Sequence, residues 1–90
     1  MPHQERTFVI VNTLGLHARA AAQLVQTSNR YRSEIHVEKD GMQVNGKSIM
    51  GVLTLAAAKG SQITVTCDGD DADAAMAALA KVIENGFGET

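Results

Sequence analysis

The run Gly15-Leu16-His17-Ala18-Arg19 sets an imidazole two residues before a guanidinium, directly after a glycine-containing turn. Helical periodicity starts at Ala18, which puts His17 beside unpaired backbone N–H groups and the positive end of a helix dipole, where an anion is stabilised. The dipole and Arg19 both disfavour a protonated imidazole, so a neutral, nucleophilic ring nitrogen is expected near pH 7. Capture of a phosphoryl group by histidine is the chemistry that fits. His17 would be the acceptor, and the backbone N–H groups of Ala18 and Arg19 would face the phosphate. Taken alone, these residues also fit a solvated turn histidine beside a surface arginine, and both readings stand at this point.

Ser48 is the second candidate. It precedes Ile49-Met50-Gly51-Val52-Leu53 as an N-cap, where its hydroxyl would accept a backbone N–H and contribute about 1 kcal/mol to helix stability. A phosphate on Ser48 would be tolerated by the helix start and would add about -1.5 to -2 of charge to a neighbouring surface. The fold would survive while a docking partner was repelled. A short helix on a small domain cannot bury every face, so part of the set Ile49, Met50 and Leu53 is expected on the surface, with Met50 the flexible, exposed member.

Other chemistries fail on spacing. A metal site from His17, His36 and Cys67 has none of the ligand pairs of zinc motifs, so no metal or other cofactor is expected. Asp68, Asp70, Asp71 and Asp73 do not make a calcium loop, because Asp73 takes the sixth position, where Gly is needed, and Leu79 the twelfth, where Glu is needed. Helix capping and a solvated first turn account for these acids. Gly46-Lys47-Ser48 ends like a Walker loop and has Gly41 five residues earlier, but Gly41 belongs to a hairpin turn and not to a strand-to-helix cradle.

The chain that must position these groups has 90 residues, enough for a single domain over residues 1–90 with one modest core and no deep cleft. Eight Lys and Arg against ten Asp and Glu, with 3% aromatic residues, lack both the basic excess and the stacking platforms of a nucleic-acid binder. The single Cys67 makes no intramolecular disulfide and fits a reducing, cytoplasmic setting. Residues 49–58 are interrupted by Gly51 and Thr54 and fall short of the roughly 18 apolar residues of a membrane span. No apolar segment follows the polar N-terminus, so neither membrane insertion nor secretion is expected.

Along the chain, residues 7–11 form a β-branched and aromatic run that reads as a strand ending in the turn at residues 12–15, and His3 lies ahead of it in an expected mobile terminus. Ala18, Ala21, Ala22 and Val25, widened by Leu24, recur with the period of an amphipathic helix. Residues 33–39 alternate, with Ile35 and Val37 inward and His36 outward. Asp40-Gly41 then signals a type I′ hairpin into a short strand at 42–45. A short helix follows Ser48, a third core strand with Ile63, Val65 and Cys67 inward spans 62–67, and a helix carries Ala72, Ala75, Met76, Leu79, Val82 and Ile83 before a stop at Gly86. Residues 86–90 are expected to fray. The order β-α-β-β-α-β-α, with one apolar face per element, predicts an α+β fold: an open four-stranded antiparallel sheet with helices on one side.

Gly15-Leu16-His17-Ala18-Arg19, followed by Val44-Asn45-Gly46-Lys47-Ser48-Ile49-Met50-Gly51, resembles the HPr family of phosphocarriers of the bacterial phosphoenolpyruvate-dependent phosphotransferase system. The likeness runs from about Arg6 to Phe87. It implies an open-faced β-sandwich, a four-stranded antiparallel sheet covered by three helices. It further implies that His17 is phosphorylated on its δ1 nitrogen by enzyme I and dephosphorylated by sugar-specific enzyme IIA domains, with Arg19 neutralising the phosphoryl group and no cofactor required. Ser48 matches the serine phosphorylated by HPr kinase/phosphorylase in members regulated that way. Leu16, Ala20, Lys47, Ile49, Met50 and Leu53 fall at the partner-docking surface of a monomeric carrier. Ala20 stands where the sugar-system members usually have Pro, and Gly46 where many have a larger residue; the first difference leaves both a sugar-system and a nitrogen-related or regulatory branch open. A regulatory interaction module of the same fold that transfers nothing is the principal rival, and a small nucleic-acid-binding or metal-binding α+β domain the second.

Overall fold

The computed structural model describes residues 2–89. Its elements are β1 (His3–Val9), α1 (Ala18–Ser28), β2 (Glu34–Lys39), β3 (Met42–Asn45), α2 (Ile49–Thr54), β4 (Gln62–Asp68) and α3 (Ala72–Glu84), with a 3-10 turn at Gly86–Gly88. The strands form one sheet in the order β1-β4-β2-β3, and every neighbouring pair is antiparallel. β2 and β3 are joined by Asp40-Gly41 with φ of 52° and 84°, the positive values at both central residues that a type I′ turn requires.

The pairing register lines up apolar residues across strands: Ile35 faces Cys67 and Val37 faces Val65 between β2 and β4, while Phe8 faces Ile63 between β1 and β4. All six side chains are buried. A period of two sends Thr7, His36, Thr64 and Thr66 to the opposite, polar face, where the Thr7 and Thr64 hydroxyls lie 3.0 Å apart. The helices close over the apolar face. α1 contributes Ala20, Ala21, Leu24 and Val25, α2 contributes Val52, and α3 contributes Ala72, Ala75, Met76, Leu79, Ala80 and Ile83 to one contiguous core.

Four expectations are corrected by long-range packing. β1 starts at His3 instead of residue 7, because the seven-residue β4 offers backbone partners from Asp68 down to Gln62, and His3 through Arg6 take them despite their polar side chains. His3 is therefore paired in the sheet, with its ring against the Asp68 carboxylate. Residues 10 and 11 leave the strand, although Ile10 stays buried and bonds Ser61 and Gly60 through its backbone. On α1 the buried stripe passes through Ala20, while Ala18 is exposed and Ala22 half-buried, since the helix packs against both α2 and α3. The C-terminal segment is held in place. Phe87 is 2% exposed in the core, and its carbonyl accepts a 2.8 Å hydrogen bond from Gln23; Met1 and Thr90, the ends of the expected domain and of the expected fraying tail, lie outside the described residues.

The fourth correction concerns the acids before α3. Asp71 is the N-cap residue of α3, but its carboxylate makes no capping bond. It reaches across to the segment before β2, accepting from the Ser33 hydroxyl at 2.5 Å, the Arg32 N–H at 2.8 Å and the Ser33 N–H at 2.9 Å. These bonds, the Ser33 hydroxyl foremost, hold the Asp71 carboxyl below its ordinary value of 3.8. A carboxyl more acidic in the folded than in the unfolded chain contributes stability above the unfolded value and loses it as pH falls through the folded one. Asp71→Asn is therefore expected to lower the urea midpoint clearly at pH 7 and by less at about pH 3, where the parent has itself lost part of the contribution. An equal deficit at both pH values would contradict this origin.

Candidate functional site

Gly15 sets the backbone that delivers His17. Its φ is +65°, and a Cβ there would lie 2.4 Å from the Ala57 carbonyl oxygen and 2.9 Å from the Ala58 Cα, so only glycine fits both the dihedral and the space. The next N–H, of Leu16, donates to that same Ala57 oxygen at 2.8 Å, seating the turn on the segment between α2 and β4.

His17 is the N-cap residue of α1. Its backbone is extended, and its carbonyl accepts from Ala21 at 2.8 Å, while its side chain makes no capping bond. The imidazole is left for other work, with its side chain 29% exposed. Leu14, His17, Ala18, Arg19, Gly88 and Glu89 line an open depression at this helix start. His17, Arg19 and the first backbone groups of α1 are thus brought together, and Arg19 is solvent-exposed. A phosphate at this rim would meet the orphan N–H groups of the helix and a guanidinium, the combination that binds anions.

Sequence reasoning missed two members of the site. His17 Nε2 lies 2.5 Å from Glu89 Oε2, a residue 72 positions away. The other oxygen of Glu89 accepts from Asn12 Nδ2 at 3.0 Å, and the same Asn12 nitrogen donates to the Gly15 carbonyl at 2.8 Å. Asn12 is 2% exposed, a buried amide tying the turn to the C-terminal segment. Its hydrogen bond is the largest of the effects that hold the Glu89 carboxyl below its usual value, with His17 and Arg19 adding to it. Glu89 is therefore ionised at neutral pH, and the ring faces a carboxylate that the expectation built on dipole and Arg19 alone did not contain. Asn12 three residues before Gly15 was a local signal of a side-chain-stabilised turn; nothing near Glu89 in sequence pointed to His17.

Two residues assigned to docking are corrected. Leu16 is 4% exposed and Ala20 fully buried, because the turn seated on Ala57 directs Leu16 inward and α1 turns its Ala20 face to the core. They shape the site from beneath and present no surface. Leu14, 68% exposed on the rim beside His17, is the apolar residue available there.

At the second candidate, the Ser48 hydroxyl accepts the Gly51 N–H at 3.1 Å, the N-cap expected from sequence. Met50 is 75% exposed and Ile49 41%, whereas Leu53 is half-buried against the core. Lys47 is half-buried, and its ammonium donates to the Tyr31 carbonyl at 2.7 Å, tying the start of α2 to the segment after α1.

The remaining chemistry-bearing groups are quiet. Cys67 is buried, and burial first, then the Asp68 and Asp71 carboxylates, push its thiol up to about 11, so it stays protonated and inert. Among the described residues, no group of three or more His, Cys, Asp or Glu could hold a metal ion, and no helix is long and apolar enough to cross a membrane.

Comparison with known proteins places this geometry. The family model for the PTS HPr component phosphorylation site matches residues 4–85. Phosphocarrier protein HPr of Xylella fastidiosa (strain 9a5c) is 48% identical over 85 residues, 94% of this chain and 96% of the relative. The HPr-like protein Crh of Halalkalibacterium halodurans is 54% identical over 70 residues, 78% of this chain and 83% of that protein. The crystal structure of HPr-C-His from Thermoanaerobacter tengcongensis matches with a TM-score of 0.93 at 46% identity, covering 97% of this chain and 98% of that one. A family model matched over residues 4–85 and a phosphocarrier relative 48% identical over 94% of the chain, on a fold shared with a solved HPr structure, have one consequence: the chain belongs to the HPr family of phosphocarriers of the phosphotransferase system.

Proposed function

We propose that His17 is the residue on which this phosphocarrier accepts a phosphoryl group from phosphorylated enzyme I, before passing it to enzyme IIA domains. The observation that carries this reading is the imidazole at the start of α1, free of any capping role and sharing an open depression with Arg19. The lone pair of a ring nitrogen forms the new N–P bond as the donor's bond to phosphorus breaks, with its electron pair returning to the donor. There is little covalent work left for the protein, so positioning and charge compensation dominate. The helix N–H groups of Ala18 and Arg19 and the Arg19 guanidinium face the equatorial oxygens. A rim this open suits a carrier that two partners must reach in turn, and it needs no metal or cofactor in the carrier. The carrier acts in the cytoplasm as a monomer, one domain over residues 1–90 built on one contiguous core.

Incubation with phosphoenolpyruvate, magnesium and enzyme I tests this directly. One acid-labile phosphate mapping to His17 is the expected product; phosphate on another residue, or none beside an active control carrier, overturns the assignment. Absence of transfer would favour a second reading, a regulatory interaction module of the same fold, which draws support from the likeness to the H. halodurans HPr-like protein Crh.

Ser48 is the regulatory site in this proposal, a substrate for HPr kinase/phosphorylase, with Met50, Ile49 and the outer edge of Leu53 as the neighbouring docking surface and Lys47 bracing it. A charge there sits at a helix start that tolerates it and beside an apolar patch that does not. Ser48→Asp is expected to slow association with enzyme I about tenfold at low salt, with the deficit shrinking as ionic strength rises. Association rates equal to the parent's across a salt series would count against it.

A further inference from the structure

We infer that Glu89 is a positioning residue for phosphoryl transfer: its carboxylate holds the His17 ring through Nε2–H, leaves Nδ1 as the attacking nitrogen, and balances the positive charge the ring acquires as the new bond forms. The inference rests on the reading of His17 as acceptor.

The geometry is that of a hydrogen-bonded acid–imidazole pair. Oε2 of Glu89 lies 2.5 Å from His17 Nε2, within reach of a short charge-assisted bond. An ionised carboxylate is an acceptor only, so the proton between them is a ring proton and Nε2 carries it. In the neutral form of the ring, the form that can attack, the lone pair is then on Nδ1, the nitrogen that Glu89 does not touch. When Nδ1 gives that pair to phosphorus, the ring becomes cationic while Nε2 keeps its proton. No base is needed to remove a proton, and the carboxylate faces the charge as it develops. The same division of labour between a histidine and a buried acid serves nucleophile activation on unrelated folds.

Glu89 is itself fixed. Its side chain is only 14% exposed. Its second oxygen is held by Asn12, which is also bonded to the Gly15 carbonyl, so the carboxylate is referenced to the turn that aims His17. Behind it, Phe87 is packed in the core and its carbonyl is bonded to Gln23 of α1. The segment that carries Glu89 is thus anchored to α1 through Gln23 and to the turn that precedes it through Asn12. Arg19 is the other charged group bearing on the pair, and it adds to the effects that keep Glu89 ionised.

The test compares the parent chain with Glu89→Ala and Glu89→Gln. Glutamine keeps an oxygen acceptor for Nε2–H and loses the charge; alanine loses both. In the unphosphorylated parent, the Nε2–H proton should be slow to exchange and visible by NMR, retained in Glu89→Gln and lost in Glu89→Ala. The rate of phosphoryl acceptance from enzyme I should fall about tenfold in Glu89→Ala, with partial recovery in Glu89→Gln. An Nε2–H signal and an acceptance rate in Glu89→Ala that match the parent would overturn the inference. The NMR arm needs no phosphate, so a parent chain that accepts none would refute the carrier assignment of His17 while the ring proton still scored Glu89.

Discussion

Replacing His17 by Ala is expected to abolish phosphoryl acceptance from enzyme I, with no acid-labile phosphate left above background. No other group in the depression can substitute. Arg19 is permanently charged and not nucleophilic, Leu14, Ala18 and Gly88 carry no nucleophile, and the Glu89 carboxylate would form an acyl phosphate, which is not the acid-labile phosphoramidate of a histidine. The loss should come without unfolding. The His17 side chain makes no capping bond and is partly exposed, and the bonds that shape the turn belong to the Leu16 and Ala21 backbone N–H groups and to Asn12. Thermal stability within about 1 kcal/mol of the parent is therefore the companion result. Labelling of the variant at the parent's level would remove His17 from the mechanism outright.

The second large effect concerns stability. Phe87→Ala should destabilise the chain by about 3–5 kcal/mol, the range for emptying an aromatic site in a packed core. Phe87 is 2% exposed and adopts φ of 57°, a left-handed conformation that its burial must offset and that alanine would still have to hold without the ring's packing. For a domain of this size the melting temperature should drop by roughly 15 °C or more. The turn also carries the anchor from Gln23 and leads into Glu89, so phosphoryl acceptance should weaken alongside stability. Phe87→Leu, which keeps most of the apolar volume, should recover much of the loss. A melting temperature within a few degrees of the parent's in Phe87→Ala would show that the C-terminal turn does not belong to the core.

The parts of the fold that were legible beforehand are those governed by interactions a few residues long. Alternation over β2 and β4 announced Ile35, Val37, Ile63, Val65 and Cys67 as inward-facing, because a period of two decides the face of a strand whatever its partner. Asp40-Gly41 specified a hairpin through the two positive φ angles that few residue pairs tolerate, and Ser48 specified a helix start through one hydroxyl and the N–H three residues on. The site's central pair, His17 and Arg19, was visible for the same reason: a glycine turn running into helical periodicity is a local pattern.

What was not legible depended on which distant segment would supply a partner. Polar His3 to Arg6 carry no strand signal of their own and became β1 because β4 offered an unpaired edge. Asp71 looked like a helix cap and bonds Ser33 and Arg32 instead, since the topology brings the start of α3 to the entrance of β2. Leu16 and Ala20 read as surface and are core, for the orientation of a turn and of a helix is set by what packs above and below them. The largest gap is at the site itself. The two residues that fasten the His17 ring are a buried asparagine in its own turn and a glutamate at the far end of the chain. Periodicity, propensity and capping act over one or two turns of chain and could therefore single out His17 as the proposed acceptor; only the closing of the C-terminal turn onto α1 could give it a carboxylate.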